Sequence, residues 1–176
     1  MKLHSQHILL RALEPSDIDT LYQWENDTEV WEISHTQTPF SRLVLEQYLS
    51  TAYQDIYTTK QLRLVIETNT ADKKNIGCID LFDFDPYHQR AGIGILIADK
   101  NERKKNYATE ALTLLIDYCF TTLNLNQLYC NITTDNLASI QLFEKHGFET
   151  IGIKKQWIRV GTTFKHELML QLVRGF

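Results

Sequence analysis

Glycine and proline are scarce in this chain, at seven and three among 176 residues. Flexible linkers and low-complexity connectors need more of both, so one domain spanning residues 1–176 is expected. Paired cysteines are missing as well. Cys78, Cys119 and Cys130 are odd in number, widely spaced and set in apolar runs. No C-x-x-C pair occurs and no histidine stands beside them at zinc-ligand spacing. A disulfide framework and a structural zinc site are therefore excluded, and buried free thiols in a reducing compartment are expected, with no metal. Basic charge is not in excess: 18 Lys and Arg oppose 22 Asp and Glu, a net −4. That argues against a dedicated nucleic-acid binder. No uncharged apolar stretch approaches the roughly 20 residues that span a bilayer, and Met1–His7 has no signal-like apolar core. No membrane partner is expected, and the location expected is cytoplasmic.

What the chain does contain is ample apolar material, 43% of its residues, in patterns that change period along its length. Ile8–Ala12 reads as a strand. A helix follows from Pro15-Ser16-Asp17, with Ser16 as N-cap and Ile18, Leu21, Tyr22 and Trp24 as apolar positions. After a loop at Thr36–Phe40, Ser41 caps a second helix carrying Val44, Leu45, Tyr48, Leu49 and Ala52. Leu62, Leu64 and Ile66 then alternate as in a half-buried strand, and the polar Asn69–Asn75 reads as a hairpin turn. Ile76–Phe84 and Gly92–Ala98 are strands. Thr109–Phe120 is the clearest helix, apolar around much of its circumference. A strand at Leu128–Thr133, a helix at Leu137–Lys145 closed by Gly147, and strands near Gly152–Arg159 and Phe164–Leu172 around a Gly161 turn complete the chain. The pattern predicts an α/β domain with one mixed central sheet flanked by helices.

The segment richest in chemistry runs from the apolar strand Ile93–Ala98 through Arg103, Lys104 and Lys105 into the helix starting near Asn106. The first turn of a helix carries N–H groups without intrahelical partners, and its dipole adds positive character there. A phosphate gains hydrogen bonds and charge at such a place. A solvated basic surface loop is the competing reading of the same residues.

Sequence motifs decide between them. Arg103-Lys104-Lys105-Asn106-Tyr107-Ala108 followed by Thr109-Glu110-Ala111 resembles the R/Q-x-x-G-x-G/A acetyl-CoA signature of the GNAT acetyltransferases. Asn136-Leu137-Ala138-Ser139-Ile140-Gln141-Leu142-Phe143-Glu144-Lys145-His146-Gly147-Phe148 resembles the family's second motif. Leu9–Asp17 and Glu167–Leu170 resemble its opening and closing strands. The resemblance covers nearly the whole chain and implies a single GNAT-type domain using acetyl-CoA as co-substrate. It implies that main-chain groups of Leu96, Ile97 and Ala98 pair with the pantetheine arm as an added strand would. It likewise places the pyrophosphate on Arg103, Lys104, Lys105, Asn106, Tyr107 and Ala108, with Asn136, Ser139 and Phe143 on the far side of the cofactor. Two departures stand out. Lys104 and Asn106 occupy positions where glycine is common, and Phe143 replaces the tyrosine that commonly protonates the leaving thiolate.

Amide formation from a thioester needs an amine freed of its proton, a stabilised carbonyl oxygen and a leaving thiolate. Asp80 and Asp83 are the candidates for base or ammonium attractor, strand alternation placing Asp80 opposite Asp83 and Asp85. Tyr107 or water is the candidate acid. His88 and His146 are alternative bases. Glu25, Glu29, Trp31 and Glu32, with Trp24 and Asp27, suggest an acidic and aromatic lining for an amine. The resemblance lies nearest the bacterial spermidine/diamine N-acetyltransferases and is shared with enzymes that modify ribosomal-protein N-termini. The acceptor expected is a polyamine or other small amine, with a peptide N-terminus or a non-catalytic acetyl-CoA-binding protein as alternatives. A homo-oligomer is left open.

Overall fold

The apolar alternation of the first half folds into strands of a single sheet. The computed structural model describes residues 3–34, 36–51 and 54–175, and only the backbone of Glu32 and Ile33. Strands β1 (Ile8–Ala12), β2 (Leu62–Thr68), β3 (Asn75–Asp85) and β4 (Arg90–Ile97) pair antiparallel in sequence order. β5 (Gln127–Thr133) lies parallel to β4, and the hairpin of β6 (Glu149–Val160) and β7 (Thr163–Val173) adds to it through β7. The resulting seven-stranded mixed sheet has the order β1-β2-β3-β4-β5-β7-β6.

The helices are α1 (Ile18–Glu25), α2 (Thr28–Ser34), α3 (Arg42–Thr51), α4 (Ile56–Thr59), α5 (Tyr107–Thr121) and α6 (Leu137–Lys145). Helix α5 buries Ala111, Leu112, Leu115 and Cys119, a stripe at helical spacing. This stripe and Phe143 of α6 share a core with Ile79, Leu81, Ile93, Leu128 and Leu170 of the sheet. Removing each such Leu or Ile from water contributes about 1.5–3 kcal/mol. On the other face, Leu21 of α1 and Leu45 and Leu49 of α3 form a smaller cluster with Phe40 and Tyr48 around its edge. No helix among the described residues is long and apolar enough to cross a membrane. Cys78, Cys119 and Cys130 are buried free thiols, as expected. Burial pushes the Cys119 and Cys130 thiols up to about 12, leaving them protonated and unreactive.

Local signals read from sequence succeed where the pattern is strictly local. Ser41 caps α3 by accepting from the Val44 N–H at 3.3 Å, although Ala52 lies outside the described residues. Gly147 and Gly161 adopt φ of +84° and +60°, ending α6 and turning β6 into β7. Ser16, in contrast, is not the cap of the first helical segment. The entry turn Pro15–Asp17 starts from Glu14, whose N–H donates to the Asp17 carboxylate at 2.8 Å. Asp17 is itself held by Arg11, which donates to both its oxygens at 2.8 Å. The first helical region also divides into α1 and α2 at Asn26-Asp27. Asn26 bonds the Phe40 backbone in both directions, at 2.9 and 3.1 Å, and so anchors the loop that precedes α3.

One feature of the sheet positions the site. β4 and β5 pair only at Arg90–Gly92 against Gln127–Tyr129. From Ile93 onward the two strands part, and the sheet opens into a wedge. Gly92 stands at its closed end because a side chain there would meet the Phe82 ring, 2.2 Å from an added Cβ.

Candidate active site

Three cavities meet at Ile95 in this wedge. The gap between β4 and β5 holds about 330 Å³, bounded by Ile93–Ile95, Asn131, Phe143 and Glu167 among others. A cleft of about 550 Å³ continues past Asn136 and Ser139 to the start of α5. On the other face of the sheet a smaller cavity of about 150 Å³ is bounded by Trp24, Glu25, Arg63, Cys78 and Asp80.

The cleft has the chemistry of a phosphate site. Asn106 sits at the N-cap of α5 with φ +69°, and its side chain makes no capping bond. The N–H groups from Lys104 to Thr109 have no backbone partner among the described residues. All of these residues except Lys105 border the cleft, and the α5 dipole adds positive character there. Lys104 has φ +62°, so both positions where glycine is common adopt the left-handed conformation that glycine favours. The loop shape survives the substitutions: Asn tolerates this region well, whereas Lys pays for it. Lys104→Gly is therefore expected to stabilise the fold by up to about 1 kcal/mol, strain relief outweighing glycine's chain entropy, while weakening binding of a polyanion. Thermal unfolding and calorimetric titration with acetyl-CoA check the opposed signs; a fall in both would mean that the loop is not strained at Lys104.

The three basic residues do not act alike. Lys104 borders the cleft and has no anionic partner among the described residues. Arg103 also borders it and donates Nε to the Ile97 carbonyl at 2.9 Å, tying the loop to the end of β4. Lys105 turns away to the buried Glu102, at 2.8 Å. On β4 the pleat divides the expected run. The Ala98 N–H donates to Ile76 at 2.9 Å, so main-chain groups of Ala98 and, two residues back, Leu96 face β3. Those of Ile95 and Ile97 face the wedge. Leu96 and Ile97 border the cleft, as do Asn106, Tyr107, Ala108, Asn136 and Ser139; Ala98 and Lys105 do not. Phe143 borders the gap instead, buried and edge-on to Phe148 at 5.0 Å.

The smaller cavity is organised by a residue that sequence reading passed over. Arg63 of β2 donates to both Asp80 oxygens at 2.9 and 3.0 Å and to Glu25 at 2.5 Å. Its guanidinium also lies 6.0 Å from the Tyr48 ring centre. Burial lowers the Arg63 pKa, but Asp80 and the neighbouring groups more than reverse this, so the cation is fixed. One cation against two carboxylates leaves a net negative charge beside Gly94 and Ile95. A lone arginine in a polar/apolar alternation carries no sign of this; only the packing of α1 over β2 reveals it.

Other expected site residues are placed elsewhere. A bulge with Asp83 at φ +49° breaks the alternation of β3. Asp83 therefore does not oppose Asp80 across the sheet: it accepts from the Tyr129 hydroxyl at 2.9 Å, on the face where Tyr129 meets Phe82 edge-on. It borders a separate cleft with Lys154 and Asn131. Burial and the bond to Asp83 push the Tyr129 phenol up to about 12. Glu29 pairs with Lys100 at 2.5 Å on the surface, and Trp31 donates its indole N–H to the Glu25 carbonyl at 2.8 Å. Trp24, next to last in α1, takes the aromatic place in the cavity. The Glu32 side chain lies outside the described residues. His146 is bound on both ring nitrogens, to Leu142 O at 2.7 Å and to Thr109 O and Thr113, so it clamps α6 to α5 rather than facing the wedge. His88 caps an exposed turn through its N–H to Asp85.

Set against known proteins, residues 7–149 match the acetyltransferase (GNAT) domain. The chain belongs to the GNAT acetyltransferase family. It is thereby an acetyl-CoA-dependent N-acetyltransferase, and its mixed sheet flanked by helices is the GNAT fold. Among its relatives, spermidine N(1)-acetyltransferase of Escherichia coli K12 is 31% identical over 82% of this chain and 74% of that protein. The Vibrio cholerae enzyme of the same name is 27% identical over 84% of this chain and 82% of its own length. A crystal structure of the V. cholerae enzyme with CoA and spermine superimposes with a TM-score of 0.86 over 96% of both chains, at 24% identity. A dodecameric structure of that enzyme, 25% identical, gives 0.79 over 96% of this chain and 95% of the other. In this GNAT domain the wedge between β4 and β5 lies beside both the cleft at the start of α5 and the acidic cavity.

Proposed function

We propose that this GNAT enzyme acetylates a primary amine of a polyamine, with the reacting atoms meeting in the wedge beside Ile95. The observation that carries the reading is that all three cavities share Ile95 in their lining. The α5 N–H groups, Lys104 and Arg103 hold the pyrophosphate of acetyl-CoA, and Ile95 with the N–H of Ile97 offers strand-edge groups to the pantetheine amides, the Ile97 carbonyl being held by Arg103. Asn136 and Ser139 border its far side. Across the sheet, Glu25, Asp80 and Arg63 present one net negative charge and Trp24 an aromatic face, which suits an alkylammonium. Asp80 orients the acceptor, and its proton leaves to water as the amide forms. Asp83, in its separate cleft, is not assigned a step. The spermidine-acetylating relatives support the polyamine, and the dodecameric relative supports a homo-oligomer. Three buried free thiols are consistent with a reducing, cytoplasmic setting.

Phe143 has no proton to give the departing sulfur. Tyr107 is the one phenol bordering the cleft or the gap among the described residues, and we assign it that proton. Tyr107→Phe is expected to lower kcat roughly 10²-fold, a usual value for general acid catalysis, with KM for acetyl-CoA unchanged. Adding Phe143→Tyr should restore part of it. Full kcat in Tyr107→Phe would mean that the thiolate leaves without this group. The acceptor is tested by amine-dependent thiol release: turnover with spermidine and none with peptides is expected, and the reverse pattern would move the assignment to protein N-termini.

A further inference from the structure

The β6–β7 side of the wedge carries a cage for an ammonium group, and a lysine of the chain occupies it. Lys154 Nζ donates to Glu167 Oε2 at 2.5 Å and to Asn131 Oδ1 at 2.9 Å, and lies 5.3 Å from the Trp157 ring centre. Glu167 is buried, with 4% of its surface exposed, and it and Asn131 both border the gap. Asn131 and Lys154 also border the cleft that opens beside Asp83. On a regular strand residues 154 and 157 would face opposite ways. The irregularity between Lys154 and Ile158, with Gln156 at φ +49°, brings the ring and the ammonium together.

A carboxylate, an amide oxygen and an indole face are the three groups that recognise a primary alkylammonium. A lysine ε-ammonium on its butyl stem is chemically the end of a diamine or polyamine. We propose that this cage is an acceptor-ammonium subsite and that Lys154 is its internal competitor, displaced toward solvent when the acceptor's amine binds. Lys154 can leave without stranding its charge, since its side chain is 30% exposed against 6% for Glu167. On this view a polyamine spans the wedge, one ammonium near Asp80 and Glu25, another at Glu167. The inference rests on the amine-acceptor reading above.

The test compares wild type, Lys154→Met, Glu167→Gln and the Lys154→Met/Glu167→Gln pair. Two readouts are used: calorimetric binding of butylammonium with CoA present, and KM for spermidine. Lys154→Met should tighten butylammonium about fivefold by removing the competitor, the scale of a partly exposed ion pair. Glu167→Gln should weaken it about tenfold or more through loss of a charge-assisted bond. The double variant, which neutralises both members of the pair, should bind as weakly as Glu167→Gln. KM for spermidine should follow the same order, with KM for acetyl-CoA unchanged. Equal or weaker butylammonium binding by Lys154→Met would overturn the proposal and leave the pair as a hairpin fastener. Butylammonium reports on the cage even if spermidine is not turned over, so failure of the polyamine reading is seen separately.

Discussion

Arg63→Met is expected to abolish detectable acetylation of amines and to lower stability by about 3 kcal/mol, the usual loss on removing one partner of a buried ion pair. The reason is the arrangement of charge, since Glu25 and Asp80 are brought to one guanidinium from α1 and β3. Without it, two largely buried carboxylates face each other with no cation, and the cheapest responses are protonation or withdrawal of α1. Either dismantles the cavity proposed for the acceptor. For a domain of this size the melting temperature should fall roughly 6–12 °C. A triple variant, Arg63→Met with Glu25→Gln and Asp80→Asn, separates the two effects. It removes every unpaired charge and should regain most of the stability, because apolar or neutral replacements of buried pairs are close to neutral. It should not regain activity. If the single variant melts like wild type, or the triple variant turns over amines, the cavity does not work as described.

Lys104→Glu addresses the opposite side of the wedge. Reversing the unpartnered cation at the cleft beside α5 replaces attraction by repulsion toward the pyrophosphate proposed to bind there. At an effective dielectric near 20 a unit pair a few ångströms apart is worth several kcal/mol, and exposure reduces this to about 2–3 kcal/mol. The dissociation constant for acetyl-CoA should therefore rise about 10²-fold at low salt, and the gap to wild type should narrow as salt is added. Lys105→Glu, whose residue is turned to Glu102, should have a much smaller effect on binding. Equal losses from both variants would indicate a diffuse basic field instead of a built site.

The comparison of sequence and structure divides along the range of the forces involved. Helix α5, the turn expected at Asn69–Asn75 and the glycine stops at Gly147 and Gly161 depend on neighbours in the chain, and the pattern predicted them, the turn ending one residue earlier because Asn75 opens β3. The loop before α5 was legible too, because asparagine at position 106 signals tolerance of positive φ. The break between α1 and α2 was not, since Asn26 is fixed by Phe40, a partner brought near only by the fold. Strand alternation misplaced Asp83 because a single bulged residue inverts the side-chain phase. Arg63 escaped notice for a similar reason: its meaning comes from Glu25, distant in sequence and adjacent in space. Local rules thus carry the shape of the loop before α5, whereas the Arg63 cluster is assembled from long-range contacts.

A covalent bisubstrate, coenzyme A joined through an acetyl bridge to one end of spermidine, tests whether the two sides serve a single reaction. Its affinity would be measured by calorimetry for wild type, Lys104→Glu and Asp80→Asn. The wedge predicts binding far tighter than that of CoA alone, weakened independently by each substitution. Affinity equal to that of CoA and indifferent to Asp80→Asn would contradict it.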